Sequence, residues 1–175
     1  MPNPPYVPGQ PVEVRVGPEF AEEFPGAQAS ATEAVMNLAR TSGLVLSRIA
    51  EVTQRFGLSP AGMNVLTILE HAPSPLPPRA IGEALVVTSS TVTGVLDSLE
   101  KRGLIRRASH PRDRRMLLIE ITGAGHDLVR AMGPPLVQGE MDWLSCLTPD
   151  EQEILIRLLG RIQGHLLTAR PEPAT

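Results

Sequence analysis

The stretch IGEALVVTSSTVTGVLDSLEKRGLIRRASHPRDRRMLLIEI, residues 81–121, decides the fold. Ile81 and Leu85 lie four residues apart, the spacing of one buried helical face, so the stretch opens as a short helix. Thr88 then offers a hydroxyl to the first amides of a second helix, SSTVTGVLDSLEKR. Gly103 supplies the left-handed residue that ends it. LIRRAS and RMLLIEI read as two strands, joined by the turn HPRDR. Just upstream, Ser59-Pro60 is a side-chain cap followed by a proline in the first helical turn. The helix it opens carries Val65, Leu66, Ile68 and Leu69, and ends in the proline-rich linker HAPSPLPP. Helix, helix, helix, strand, turn, strand is the order of a winged helix-turn-helix. The fold class predicted is mainly α with a small antiparallel β wing.

Outward from this lobe, residues 29–56 place Val35, Leu38, Val45, Ile49, Val52 and Phe56 on one helical face, and Gly57 stops the helix. Residues 1–26 are rich in Pro and Gly. They read as an extended or disordered arm with a short turn of helix at residues 19–24. On the other side Thr122 caps a helix that reaches about Met132. There Gly133-Pro134-Pro135 is expected to break or kink it, because proline has no N–H and clashes with the preceding turn. A further helical piece runs to about Cys146. In LTPDEQEILIRLLGRIQGHLL, Thr148, Pro149 and Glu151 form a capping box. That helix puts Leu155, Leu158, Leu159, Ile162 and Leu166 on one side. The expected division is an arm (1–26), a dimerisation helix (27–57), a winged lobe (58–121), C-terminal dimerisation helices (122–168) and a tail (169–175). Val45, Ile49, Leu155, Leu159, Ile162 and Leu166 are the candidate dimer contacts, since these stripes are longer than one small lobe needs.

Charge is unevenly placed. Residues 101–115 hold one Lys and six Arg against one Asp, a formal +6, in a chain whose net charge is −3. Seven of the sixteen basic residues therefore lie in one window, where a polyanion would feel the local field rather than the average. The helix before it explains the placement. At 100° per residue, Val92, Val95, Leu96 and Leu99 share an arc, while Ser90, Thr93, Gly94, Asp97 and Lys101 lie opposite. Small hydroxyls and a glycine either tolerate solvent or permit close approach of another surface. A preceding short helix and a basic hairpin favour approach to a DNA major groove. Ser89, Ser90, Thr93, Gly94, Lys101, Arg107, Arg112, Arg114 and Arg115 are the candidate DNA contacts, with arginines neutralising phosphate or entering the minor groove. Asp113 is placed to hold Arg115 in a forked hydrogen bond. Asp97 either pairs with Lys101 or accepts from a cytosine amino group.

Other chemistry finds little support. Aromatic residues are 3% of the chain, too few for base stacking on single strands. A single cysteine, Cys146, excludes an internal disulfide and a Cys-rich zinc site, and is expected to be a buried structural thiol. His71, His126 and His165 have no metal partner at helical spacing, and His110 near the wing turn reads as a solvated turn residue or a pH-sensitive phosphate contact. Nucleophile elbow, P-loop and zincin motifs are missing, so neither an enzyme nor a resident metal or cofactor is expected. No apolar run approaches the ~20 residues that span a bilayer, and no signal sequence is seen, so a cytoplasmic location is expected. The alternative function is a winged helix that docks its basic wing on an acidic protein.

GLSPAGMNVLTIL, the recognition helix with its wing, HPRDRRMLLIEITGAGHDLV and LTPDEQEILIRLL together resemble the MarR (multiple-antibiotic-resistance regulator) family over residues 30–167. The resemblance implies a homodimeric transcription factor, usually a repressor, on a palindromic operator, with interleaved first and last helices. It implies that Asp113 and Arg115 form the wing pair, with the arginine in the minor groove. It also implies an effector, often a small phenolic or other aromatic anion, whose binding releases DNA. The urate-responsive branch carries a Trp-Asp pair early in its second helix, where this chain has Met63 and Asn64. These two positions mark the expected ligand pocket.

Overall fold

Gly57 and Gly103 both adopt positive φ, 67° and 71°, and each ends a helix where the sequence predicts a stop. The computed structural model describes residues 13–85, 89–109 and 116–168. Along it run α1 (Phe20–Glu23), α2 (Ala29–Gln54), α3 (Pro60–His71), α4 (Pro78–Leu85), α5 (Ser89–Lys101), β1 (Ile105–Ser109), β2 (Leu117–Ile121), α6 (Gly123–Trp143) and α7 (Pro149–Thr168). The chain divides into two units, residues 1–129 and 130–175.

The first unit is built around α3. Met63, Val65, Leu66 and Leu69 turn inward against Ile81 of α4, Val92, Leu96 and Leu99 of α5, and Leu104, Ile105 and Ile119 of the wing, all buried. Each such side chain contributes roughly 1.5–3 kcal/mol on burial. The caps are local and made as the sequence predicts. Ser59 Oγ accepts from Gly62 N at 3.0 Å. Thr122 Oγ1 accepts from Gly125 N at 3.2 Å and donates to Gly103 O at 2.7 Å, so one hydroxyl caps α6 and ties it to the end of α5. Thr88 lies outside the described residues.

β1 and β2 pair antiparallel, Ile105 opposite Ile121 and Ser109 opposite Leu117. A third backbone joins them. Leu76, inside the stretch predicted to be only a linker, donates to Ile119 O at 3.1 Å and accepts from Ile119 N at 2.8 Å.

Ahead of α1, the arm's residues 13–17 run along α2 and dock on it. Val14 N donates to Asn37 Oδ1 and Asn37 Nδ2 donates to Val14 O, both at 2.9 Å, the two-point pattern a neighbouring strand would offer. Val16 N donates to Glu33 Oε1 at 3.0 Å, and Arg15 pairs with Glu33 at 2.8 Å. The Val16 amide, and then Arg15, hold the Glu33 carboxyl below its ordinary range. A lowered folded-state pKa means this docking is complete above the ordinary glutamate range and is lost as pH falls through the lowered value. Hydrogen exchange at the Val16 amide is therefore expected to accelerate in that acid window, while amides in the α3 core keep their protection. An amide equally protected on both sides of the window would count against the clamp.

The second unit comprises the rest of α6 and α7. The Thr148 capping box forms: Thr148 N donates to Glu151 Oε2 at 2.8 Å, and Glu151 N to Thr148 Oγ1 at 3.4 Å. The structure corrects two expectations, a break in α6 and a buried thiol in the turn after it. Gly133-Pro134-Pro135 does not break α6, which continues to Trp143. Gly133 has no Cβ to clash with the Pro134 ring, which eases the first of the two proline steps; both prolines still lack an N–H to donate. Cys146 is exposed rather than buried, because it sits in the turn between α6 and α7. Among the described residues no helix is long and apolar enough to cross a membrane.

Candidate nucleic-acid interface

The faces of α5 separate as its periodicity predicts. Val92, Leu96 and Leu99 are buried, whereas Ser90, Thr93, Gly94, Asp97 and Lys101 are exposed. Ser89 opens the helix. A Cβ built at Gly94 meets no atom within 4 Å. The lone chain therefore has no packing need for glycine there, and its interior helical position costs about 1 kcal/mol relative to Ala. Gly94→Leu is expected to raise the thermal midpoint slightly while weakening duplex binding tenfold or more in a mobility-shift titration. Unchanged binding would remove this face from the interface.

The basic window splits into two sets. Arg112, Arg114, Arg115, Asp113 and His110 lie outside the described residues. Arg106 pairs with Glu120 across the wing at 2.5 Å. Arg107, a candidate DNA contact, has another engagement. Its Nη1 donates to Glu100 at 2.7 Å and its Nη2 to Asp97 at 2.6 Å, with the side chain only 27% exposed. The Asp97 hydrogen bond, above all, holds the guanidinium above its usual pKa. Asp97, expected to meet Lys101 or a cytosine, is thus taken by Arg107. The planar fork makes two directed bonds to two carboxylates, which an ammonium four residues along an exposed helix does not match. Chemically this fork fixes the angle of β1 against α5, so the wing and the recognition helix present one surface.

Neither Met63 nor Asn64 lines a hollow among the described residues. Met63 packs into the core and Asn64 faces solvent. The larger described hollows are walled mainly by the segment after α3 and by the wing. One, of about 490 Å³, is walled by Ser74, Pro75, Pro77, Met116 and Leu118. The other, of about 270 Å³, includes Leu69, Ile119 and a pair invisible to sequence spacing, His126 Nδ1 at 2.5 Å from Glu70 Oε2. Among the described residues no group of three or more His, Cys, Asp or Glu is arranged to hold a metal ion.

The candidate dimer contacts are largely uncovered in the single chain. Val45, Leu155, Ile162 and Leu166 are exposed, Ile49 and Leu159 half-buried, and α7 has no buried residue. Exposed apolar stripes of this extent mark a partner surface.

Residues 58–117 match the MarR family profile. Over 154 residues the chain is 31% identical to the HTH-type transcriptional regulator PecS of Dickeya dadantii (strain 3937), a match covering 87% of this chain and 93% of PecS. Its fold is similar to that of MepR from S. aureus in a DNA complex, with TM-score 0.69 and 24% identity over 74% of this chain and 96% of MepR. It is also similar to BpsR of Bordetella bronchiseptica, a protein whose DNA binding is regulated by 6-hydroxynicotinic acid, with TM-score 0.69 and 24% identity over 75% and 98% of the two chains. A winged helix-turn-helix with an uncovered recognition face, joined to this sequence identity along most of its length, places the chain in the MarR family of DNA-binding transcriptional regulators.

Proposed function

We propose that the protein is a ligand-responsive repressor that acts in the cytoplasm and binds a palindromic operator as a homodimer. The observation that carries this reading is the exposed, nearly bulk-free face of α5, Ser90, Thr93 and Gly94, with the wing tied to its C-terminal half through Arg107. Such a face enters a major groove without steric conflict, and the wing arginine Arg115, oriented by Asp113, reaches the adjoining minor groove. The apolar stripes of α2 and α7 join two copies. Two recognition helices then read half-sites about 34 Å apart, one turn of duplex. The effector is a small aromatic or phenolic anion; the regulation of BpsR by 6-hydroxynicotinic acid supports that class.

Selection from a pool of random duplexes tests the reading. The expected product is an inverted repeat whose half-sites are centred one helical turn apart, bound by a species of twice the chain mass. Arg115→Ala is expected to weaken binding to that duplex by about 1–3 kcal/mol. Recovery of no enriched duplex, together with capture of the basic wing by an acidic protein, would replace this function with a protein-docking one.

A further inference from the structure

Arg102 was not among the expected DNA contacts, although it belongs to the basic window. It follows the last residue of α5, and its guanidinium turns away from the recognition face. Nη1 donates to Gly57 O at 2.5 Å and Nη2 to Phe56 O at 3.0 Å. These carbonyls stand just beyond the C-terminal end of α2. A helix end leaves carbonyls without intrahelical partners and carries the negative end of the macrodipole. The backbone meets part of this need: Gly57 N bonds Gln54 O at 2.9 Å, and Leu58 N bonds Thr53 O at 3.0 Å. Arg102 meets two further carbonyls, those of Phe56 and Gly57. It does so across a small cleft, about 40 Å³, lined by Gly57, Ser59, Gly62, Val95 and Ser98.

We infer that Arg102 is a positioning residue for DNA reading, which fixes the C-terminal end of the recognition helix to the end of α2. The inference rests on the function proposed above. The Arg107 fork ties α5 to the wing, while against the helices of the core it is held by Val92, Leu96 and Leu99, all buried. Contacts of this kind are strong but non-directional, and they tolerate small rotations of a helix about its axis. A fork on two successive carbonyls is directional. Base-edge hydrogen bonds demand placement within about 0.5 Å and 10–20°, so the fork acts on discrimination between sequences more than on attraction to the duplex. It also makes α5 follow any displacement of the end of α2, the helix assigned to dimer contact.

The test compares Arg102→Lys and Arg102→Gln with the wild-type chain. Two probes are used: the duplex enriched by wild type from the random pool, and poly(dI-dC). Binding is measured across a salt series, well below each variant's thermal midpoint. Lysine keeps the charge but is a point donor without the planar fork. A positioning role predicts that both variants lose about tenfold in affinity for the enriched duplex. It further predicts that Arg102→Lys keeps its poly(dI-dC) affinity and its salt slope. A phosphate contact predicts instead that Arg102→Lys behaves as wild type and that Arg102→Gln shows a slope shallower by about one; that result overturns the inference. A merely structural role lowers binding to both probes in parallel, which overturns it too. If the wild type itself enriches no duplex, the proposed function falls first and the inference with it.

Discussion

Leu155→Glu combined with Ile162→Glu yields a species of single-chain mass by light scattering and abolishes binding to the selected duplex. Both side chains are exposed on α7, a helix with no buried residue in the lone chain. Glutamate there disturbs little of the chain's own packing, and the Thr148–Glu151 capping box still starts the helix. In a symmetric pair every substitution is made twice. Four apolar side chains lose their burial at roughly 1.5–3 kcal/mol each, and four carboxylates must either desolvate or push the copies apart. The total, on the order of 6–12 kcal/mol, is the whole binding free energy of a dimer with a Kd between tens of micromolar and about a nanomolar. A single copy touches one half-site and falls to non-specific affinity, roughly 10⁻⁴–10⁻⁶ M at physiological salt. The circular dichroism of the variant should keep its helical signal. A variant that retains double mass would remove α7 from the dimer interface.

Gly125→Ala is the second large effect, and it acts on folding. A Cβ at this position falls 2.3 Å from Leu104 O and 2.6 Å from Ile121 Cγ1. Leu104 O is a backbone atom already accepting from Thr122 N at 3.0 Å, so it cannot swing aside as a side-chain tip would. Relief requires α6 to lift off the base of the wing, with strain on the Thr122 cap and on the His126–Glu70 contact in the same turn. Overpacking of this kind costs about 2–3 kcal/mol, or roughly 5–10 °C of thermal midpoint for a chain of this size. Calorimetry measures it. Gly123→Ala, whose Cβ meets nothing within 4 Å, is the control and should not lower the midpoint. Equal midpoints for the two variants would mean that α6 is not seated against Leu104.

The part of this architecture legible in the sequence is the part encoded over a few residues. Ser59, Thr122 and Thr148 bond amides three positions on, so their caps are readable from spacing alone. The two faces of α5 follow from its helical period. Contacts that depend on tertiary placement were not readable. Arg107 reaches Asp97 and Glu100 only because β1 folds back along α5. Asn37 and Glu33 meet the arm only because it turns antiparallel to α2, and no local pattern announces that. The Gly-Pro-Pro motif misleads for the opposite reason. A local rule read without its glycine predicts an interruption that the backbone avoids.

The seam between Leu76 and Ile119 has a consequence for how copies of this chain can meet. Leu76 spends both of its backbone groups on Ile119, and its neighbours Pro75 and Pro77 have no N–H to offer. A foreign strand arriving at that margin finds no continuous ladder to extend, although LLIEI is apolar enough to invite one. The proline-rich crossing thus acts as a selvedge, closing this border of the small sheet against growth into fibrils at high protein concentration.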